Sequence, residues 1–233
     1  MKYRTDLALE AMELYGRENS KAPDKNTEIG EGDLPAGRLP SIPGTECIQK
    51  KYGNDITVTT IRILDAEGEK ALERKCGTYI TLEIEGIADE KNSIKKRAAQ
   101  ALAKEISRLI PFRNDLKVWV VGLGNDKVTP DALGPYSVSK IKVTRHLFLI
   151  FDCSSDPEMA NVSGLIPGVF GSTGIETAEI IKNAVDIVRP DVVLTVDSLA
   201  ARDIRRVNTT IQLNDTGIRP GSGSGNHRSE ISE

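Results

Sequence analysis

Residues 116–134, Leu-Lys-Val-Trp-Val-Val-Gly-Leu-Gly-Asn-Asp-Lys-Val-Thr-Pro-Asp-Ala-Leu-Gly, restrict the fold more than any other stretch of the chain. An apolar run, Val118 to Val121, stops at Gly122 and Gly124, crosses a polar loop and reaches Pro130-Asp131 before helix-like sequence resumes. A short Val- and Trp-rich run bounded by glycines predicts a buried strand. Proline in the first turn of a helix forfeits no hydrogen bond, because the amide it lacks would have no partner there. The stretch is therefore a strand, a turn and a helix start, with Asp131 at the carboxyl end of the strand.

The pattern continues beyond it. A helix is expected from Asp131 to about Val143, a strand over residues 147–151, then a polar loop carrying Pro157, Gly164, Pro167 and Gly168. Gly171-Ser172-Thr173-Gly174 precedes an amphipathic helix over residues 175–188, with Ile180, Ile181, Ala184 and Ile187 inward. Val192 to Val196 is an apolar run ending at Asp197-Ser198, and residues 207–213 alternate as a further strand. Strands interleaved with helices predict a three-layer α/β/α fold around a mostly parallel, doubly wound sheet.

Upstream, Thr5 or Asp6 can cap a helix through Leu7, Ala8, Ala11 and Leu14 that ends near Gly16. Residues 20–44 are rich in Pro, Gly, Asp and Asn, and residues 20–50 are read as one long loop. Residues 56–63 and 79–84 alternate and are β-branched, so they form two strands of a small β extension, with a short helix over 66–75 between them and a turn at Gly77. Ser93 opens a helix whose apolar face is Ile94, Ala98, Ala101, Leu102, Ile106 and Leu109; its opposite face, Lys95, Lys96, Arg97, Lys104 and Arg108, is read as solvated. The 233 residues are expected to form a single domain.

With 31 basic and 34 acidic residues, no broad field favours nucleic acid or a membrane surface. No apolar run approaches the roughly 20 residues of a spanning helix, and residues 1–10 carry acids where a signal peptide is apolar. Cys47, Cys76 and Cys153 are widely spaced with no CxxC pair, which argues against a structural zinc site or a disulfide framework. Reduced thiols and no leader point to a cytoplasmic protein.

Ligands of open parallel sheets bind beyond the carboxyl ends of the strands, and two acids fall there, Asp131 and Asp197. If their strands are neighbours, the pair can divide labour, one carboxyl protonating while the other activates water. The alternative is structural: Asp131 as a helix cap and Asp197 bonded to loop amides. Gly122-Leu123-Gly124 lacks the third glycine of a dinucleotide fingerprint, since position 127 is Lys127. Gly171-Ser172-Thr173-Gly174 is not a nucleophile elbow, and Ser172 is read as capping or lining the cleft. His146 and His227 have no spaced metal-binding partner, and Gly221-Ser222-Gly223-Ser224-Gly225 lacks the Lys-Ser/Thr ending of a phosphate loop.

These motifs, taken together, resemble a known family. Val120-Val121-Gly122-Leu123-Gly124-Asn125, Thr129-Pro130-Asp131-Ala132-Leu133-Gly134-Pro135, Thr144-Arg145-His146-Leu147-Phe148, Pro167-Gly168-Val169, Thr173-Gly174-Ile175-Glu176-Thr177, Asp197-Ser198-Leu199-Ala200-Ala201-Arg202 and Ile211-Gln212-Leu213-Asn214-Asp215 are similar to the germination protease of spore-forming Firmicutes. Arg4-Thr5-Asp6-Leu7-Ala8 and Gly77-Thr78-Tyr79-Ile80-Thr81 match it too. The resemblance implies an atypical aspartic endopeptidase, made as a zymogen and homotetrameric, with a fold like that of hydrogenase-maturation endopeptidases. It implies that the enzyme begins degradation of small acid-soluble spore proteins in the spore core during germination. Its two catalytic aspartates correspond to Asp131 and Asp197, with no cofactor, no metal, no direct contact with nucleic acid and no membrane. The last of these motifs runs on from Ile211 to His227, and family members continue well past it, whereas this sequence ends at Glu233, so a C-terminally truncated form is expected. Two further readings stay open: a non-catalytic fragment of that protease, and a metal-dependent peptidase of the maturation type using the same two acids.

Overall fold

The computed structural model describes residues 5–19, 39–89, 92–110, 113, 115–151 and 159–218. In chain order the first elements are α1 (Ala8–Asn19), β1 (Thr45–Tyr52), β2 (Ile56–Ile63), α2 (Ala66–Leu72), β3 (Gly77–Ile84) and α3 (Asn92–Leu109). They are followed by β4 (Lys117–Gly122), α4 (Leu133–Ser139), α5 (Arg145–Phe151), β5 (Asn161–Leu165), α6 (Phe170–Thr173), α7 (Thr177–Val188), β6 (Val192–Val196) and β7 (Thr210–Asn214). The chain divides into two compact units, Met1–Leu109 with Leu199–Thr216, and Ile110–Ser198 with Gly217–Glu233.

The first unit is built on a four-stranded antiparallel sheet of order β1-β2-β3-β7. Alternation along β2 and β3 sends apolar side chains to both faces, as a sheet covered on two sides requires. Ile61, Ile63 and Tyr79 pack with Ala8, Leu9 and Met12 of α1 and Leu72 of α2. On the other face Ile56, Val58, Ile80, Leu82 and Ile84 pack with Ala98 and Ala101 of α3, and Ile211 and Leu213 of β7 join them. The basic residues of α3 are exposed as expected, although Arg97 pairs with Asp55, Arg108 pairs with the buried Glu105, and the Lys104 ammonium stands 5.2 Å above the Tyr52 ring.

The second unit holds a three-stranded parallel sheet of order β5-β4-β6. Trp119, Val121 and Leu123 project from β4 and its end toward Ile181, Ala184, Val185 and Val188 of α7. The alternate residues face α4, where Val138 lies against Gly122 and Gly164. Within this unit α7 thus packs on one face of the sheet and α4 on the other, and with the antiparallel sheet of the first unit the fold is mixed α/β. At the entrance to the sheet, Asp191 and Lys117 exchange hydrogen bonds at 2.8 and 2.9 Å, which sets the register of β6 against β4.

The structure corrects the sequence reading in several places. The sheets together are not mostly parallel: the antiparallel sheet is the larger, and the small β extension is four strands, because residues 45–52 form β1 and the strand near residue 210 joins β3 antiparallel. Residues 147–151 are helical, not extended; a five-residue apolar run has no decisive period, and Leu149, Ile150 and Phe151 are 67–69% exposed. The place beside β4 belongs instead to Asn161–Leu165, which the sequence reading left in a polar loop. Gly164 there marks close approach rather than a break, since a Cβ on it would stand 3.0 Å from a Val138 methyl. The helix expected from Asp131 is a 3₁₀ turn, Thr129–Asp131, followed by the short α4.

At the start of α1 the Asp6 carboxylate accepts the Ala200 N–H, the Thr5 hydroxyl accepts the Leu7 N–H, and the Ala8 N–H donates to the Gln212 side chain of β7 at 2.7 Å. Among the described residues no helix is long and apolar enough to cross a membrane. Cys153, His227, Gly221–Gly225 and residues 20–38 of the expected long loop lie outside the described residues, whereas Cys47 and Cys76 are free thiols.

The turn Ile204–Arg206 carries a pH-sensitive contact. Side-chain hydrogen bonds from Arg205, then its backbone N–H, hold the Asp203 carboxyl down at about 2, below its ordinary 3.8. A carboxyl depressed on folding adds stability that is complete above its ordinary value and is lost as pH falls through about 2. Titration of the Asp203 carboxyl followed by NMR should therefore show a midpoint near 2, and Arg205→Gln should move it upward; a midpoint indifferent to Arg205 would refute the contact.

Candidate active site

The two sequence-predicted acids fall on two loops of the second unit. Asp131 closes the loop that leaves β4, and Asp197 directly follows β6. In the sheet, β4 has β5 on one side and β6 on the other, all parallel, so their carboxyl ends lie along one edge. The chain passes from β4 to β5 through α4 and α5, then crosses to β6 through α7 on the opposite face. Consecutive connections that leave to opposite faces define a topological switch point, here between β4 and β6. The loops bearing Asp131 and Asp197 are the ones that flank that crevice.

The local backbone is tied together closely. Leu123 N–H donates to the Val196 carbonyl at 2.8 Å, extending the β4–β6 ladder to the residue before Asp197. Asn125 N–H donates to the Asp131 carbonyl at 3.0 Å, and Asp131 N–H to the Val128 carbonyl at 2.8 Å, which folds residues 125–131 into a compact loop. Gly124 has φ +111°, and a Cβ there would stand 2.0 Å from the Asp131 carbonyl oxygen and 3.1 Å from its Oδ1. Gly134 approaches equally closely: its Cβ would meet the Leu123 oxygen at 2.2 Å and the Val196 oxygen at 2.5 Å. The glycines thus let the start of α4 rest on the ends of β4 and β6.

Both acids are half-buried. Asp197 Oδ1 accepts the Ser198 N–H at 2.8 Å, so part of the structural role foreseen for it is present alongside its place at the crevice. Asp131 provides no side-chain cap for α4, whose N-cap is Ala132. A half-buried carboxylate beside a strand end can accept a proton from water, and a second, protonated one can donate to a carbonyl oxygen.

The other motifs fall elsewhere. Ser172 Oγ hydrogen-bonds the Val169 carbonyl at 2.9 Å and makes a local turn at the start of α6, while His146 is exposed on α5. Among the described residues no group of three or more His, Cys, Asp or Glu side chains could hold a metal ion. What sequence reading missed is β5, without which β4 has one neighbour and no switch point; its signal was the Val-Ser-Gly-Leu run, hidden by Gly164.

With the site in place, comparison with known proteins assigns the family. The germination protease family profile matches residues 38–233. The chain belongs to the germination protease family. It is 46% identical over 228 residues to the germination protease of Caldanaerobacter subterraneus subsp. tengcongensis, covering 98% of this chain and 63% of that protein. It is 42% identical over 233 residues to that of Clostridium tetani, covering 100% of this chain and 66% of the relative. For the Oceanobacillus iheyensis germination protease the figures are 44% over 233 residues, with 99% and 59% covered. The chain therefore spans less than two thirds of the length of these curated relatives. The family is one of peptidases, in agreement with the resemblance drawn from the sequence.

The close approach at Gly134 makes a direct prediction. Gly134→Ala should destabilise the protein by about 1–3 kcal/mol or more, because backbone atoms on both strands must move. Gly171→Ala, with no heavy atom within 4 Å of its Cβ, should be neutral or slightly stabilising. Urea denaturation checks both, and equal effects would refute the described packing of α4.

Proposed function

We propose that this chain carries the catalytic centre of an aspartic-type endopeptidase in which Asp131 and Asp197 share a water molecule. The observation that carries the reading is topological: the two acids stand on the two loops that flank the β4–β6 switch point. One carboxylate takes a proton from water as its oxygen attacks the peptide carbonyl carbon; the other, protonated, donates to the carbonyl oxygen. Collapse of the tetrahedral species breaks the C–N bond, and the amine leaves with a proton. Either carboxyl can take the role of base, so neither is assigned to it permanently.

Family membership supports, as part of this proposal, small acid-soluble spore proteins as the substrates, cleaved internally at germination in the spore core by an enzyme read as a homotetramer activated from a zymogen. Protein substrates, rather than nucleic acid or membrane, also suit the balance of 31 basic and 34 acidic residues.

Asp131→Asn and Asp197→Asn, each assayed by cleavage of a small acid-soluble spore protein, should lower turnover by about 10² to 10⁴-fold while the folded state persists. Near-normal cleavage by either variant would sink the assignment. Failure of the unsubstituted chain to cleave would favour the non-catalytic fragment.

A further inference from the structure

β1 forms one edge of the antiparallel sheet, and its pairing with β2 is unbroken from Thr45 to Tyr52. It carries neither proline nor bulge, two devices that ordinarily blunt an edge strand. The opposite edge, β7, is shorter, and its Gln212 side chain is tied to Asp6 and Ala8. β1 is the edge open to a further strand.

The backbone groups it offers are fixed by the hydrogen-bond phase of its own sheet. Leu64 N–H donates to the Gly44 carbonyl at 2.9 Å just past one end of the β1–β2 ladder, and Glu85 N–H donates to the Asp55 carbonyl at 2.8 Å just past the end of β2–β3. In an antiparallel ladder directly opposed residues exchange bonds at every second position. Both bonds therefore give one phase: Glu46, Ile48, Lys50 and Tyr52 bond to β2, while the N–H and C=O groups of Cys47, Gln49 and Lys51 point outward. Among the described residues none of these outward N–H groups has an acceptor.

The side chains add a pattern. Glu46, Ile48 and Lys50 lie on the sheet face of Tyr52, whose hydroxyl donates to Glu105 of α3 at 2.7 Å. All three are exposed, Ile48 at 48% although it is apolar. An acid and a base thus stand at equal spacing on either side of Ile48. Reversing the strand exchanges one for the other, so the row is complementary to an antiparallel copy of itself.

We infer that β1 pairs antiparallel with β1 of a second copy of this chain, about a two-fold axis at Ile48. The inference rests on the homo-oligomeric part of the proposed function and not on the catalytic reading of Asp131 and Asp197. Centred on Ile48, the pairing bonds Cys47 to Gln49 of the second copy and sets Glu46 opposite Lys50 of that copy, each contact occurring twice by symmetry. Ile48 meets its own counterpart in a non-hydrogen-bonded pair, where side chains approach most closely. Centring on Cys47 would instead oppose Ile48 with Glu46, and centring on Gln49 would oppose it with Lys50. Lysine on an edge ordinarily resists pairing, but this register gives Lys50 a carboxylate. Glu46 also has Arg62 of its own chain at 3.8 Å, with both side chains 55% exposed; so loose a contact leaves the carboxylate open to a second cation.

Substitutions at these exposed positions test the pairing in the chain as it stands. In sedimentation at low ionic strength, Glu46→Lys should weaken self-association about tenfold, and Glu46→Lys combined with Lys50→Glu should restore it. In a background of Cys47→Ser, Cys76→Ser and Cys153→Ser, Ile48→Cys should give a disulfide-linked dimer on mild oxidation, because Cα atoms of such a pair stand about 4.5 Å apart. Lys50→Cys in that background should not. Hydrogen exchange at Cys47, Gln49 and Lys51 should slow as concentration rises, while Ile48 and Lys50, already bonded to β2, stay unchanged. Self-association that ignores Glu46→Lys, failure of the charge exchange to restore it, or equal cross-linking at positions 48 and 50 would overturn this pairing and leave the assembly itself standing. A chain that stays monomeric at every concentration would overturn both. Protection of the outward amides only on adding a small acid-soluble spore protein would assign the edge to a foreign strand and overturn the self-pairing.

Discussion

Backbone-to-backbone packing at the carboxyl end of the parallel sheet is the constraint on which the second unit depends. Gly134 lies so close to Leu123 and Val196 that no side chain fits, and Gly124 lies equally close to Asp131. Through these approaches one turn touches both strands of the switch point at once. The loop after β4 cannot be displaced without also disturbing the end of β6. Asp131 and Asp197 belong to a single assembly of backbone atoms because glycine is the residue at those positions.

A different chemistry stabilises the first unit. Its two apolar layers are ordinary, with Leu82 and Ile61 fully buried, but the face of α1 carries Glu10 and Glu13 inward toward Arg206. Removing one partner from such a set leaves buried charge uncompensated, which costs more than the set contributes when complete. The arrangement is thus better suited to defining one conformation of residues 199–206 than to adding stability.

Much of the site was legible in the sequence, for definite reasons. The Val118 to Val121 run, Gly122, Gly124 and Pro130 each have one economical structural meaning, and together they located Asp131 at a strand end. Asp197 was legible because the apolar run before it stops abruptly. The switch point between their strands was not legible, since it depends on β5 occupying the other side of β4. Asn161–Leu165 is short, holds a glycine and is nowhere deeply buried, so neither composition nor period marked it. The Leu147-Phe148-Leu149-Ile150-Phe151 run drew the strand reading instead, although its helix begins with Leu147 N–H bonded to the Thr144 carbonyl. Long-range polar contacts were equally hidden: a cap for Ala8 supplied by Gln212, 204 positions away, leaves no local signature.

A shared water requires the two carboxylates to act as one unit, and a double-mutant cycle on cleavage of a small acid-soluble spore protein tests that most directly. If Asp131 and Asp197 work together, the Asp131→Asn/Asp197→Asn double variant will be no slower than the slower single variant, because the first loss already removes the function of both. Losses that multiply, each variant subtracting its own independent factor, would contradict the paired mechanism.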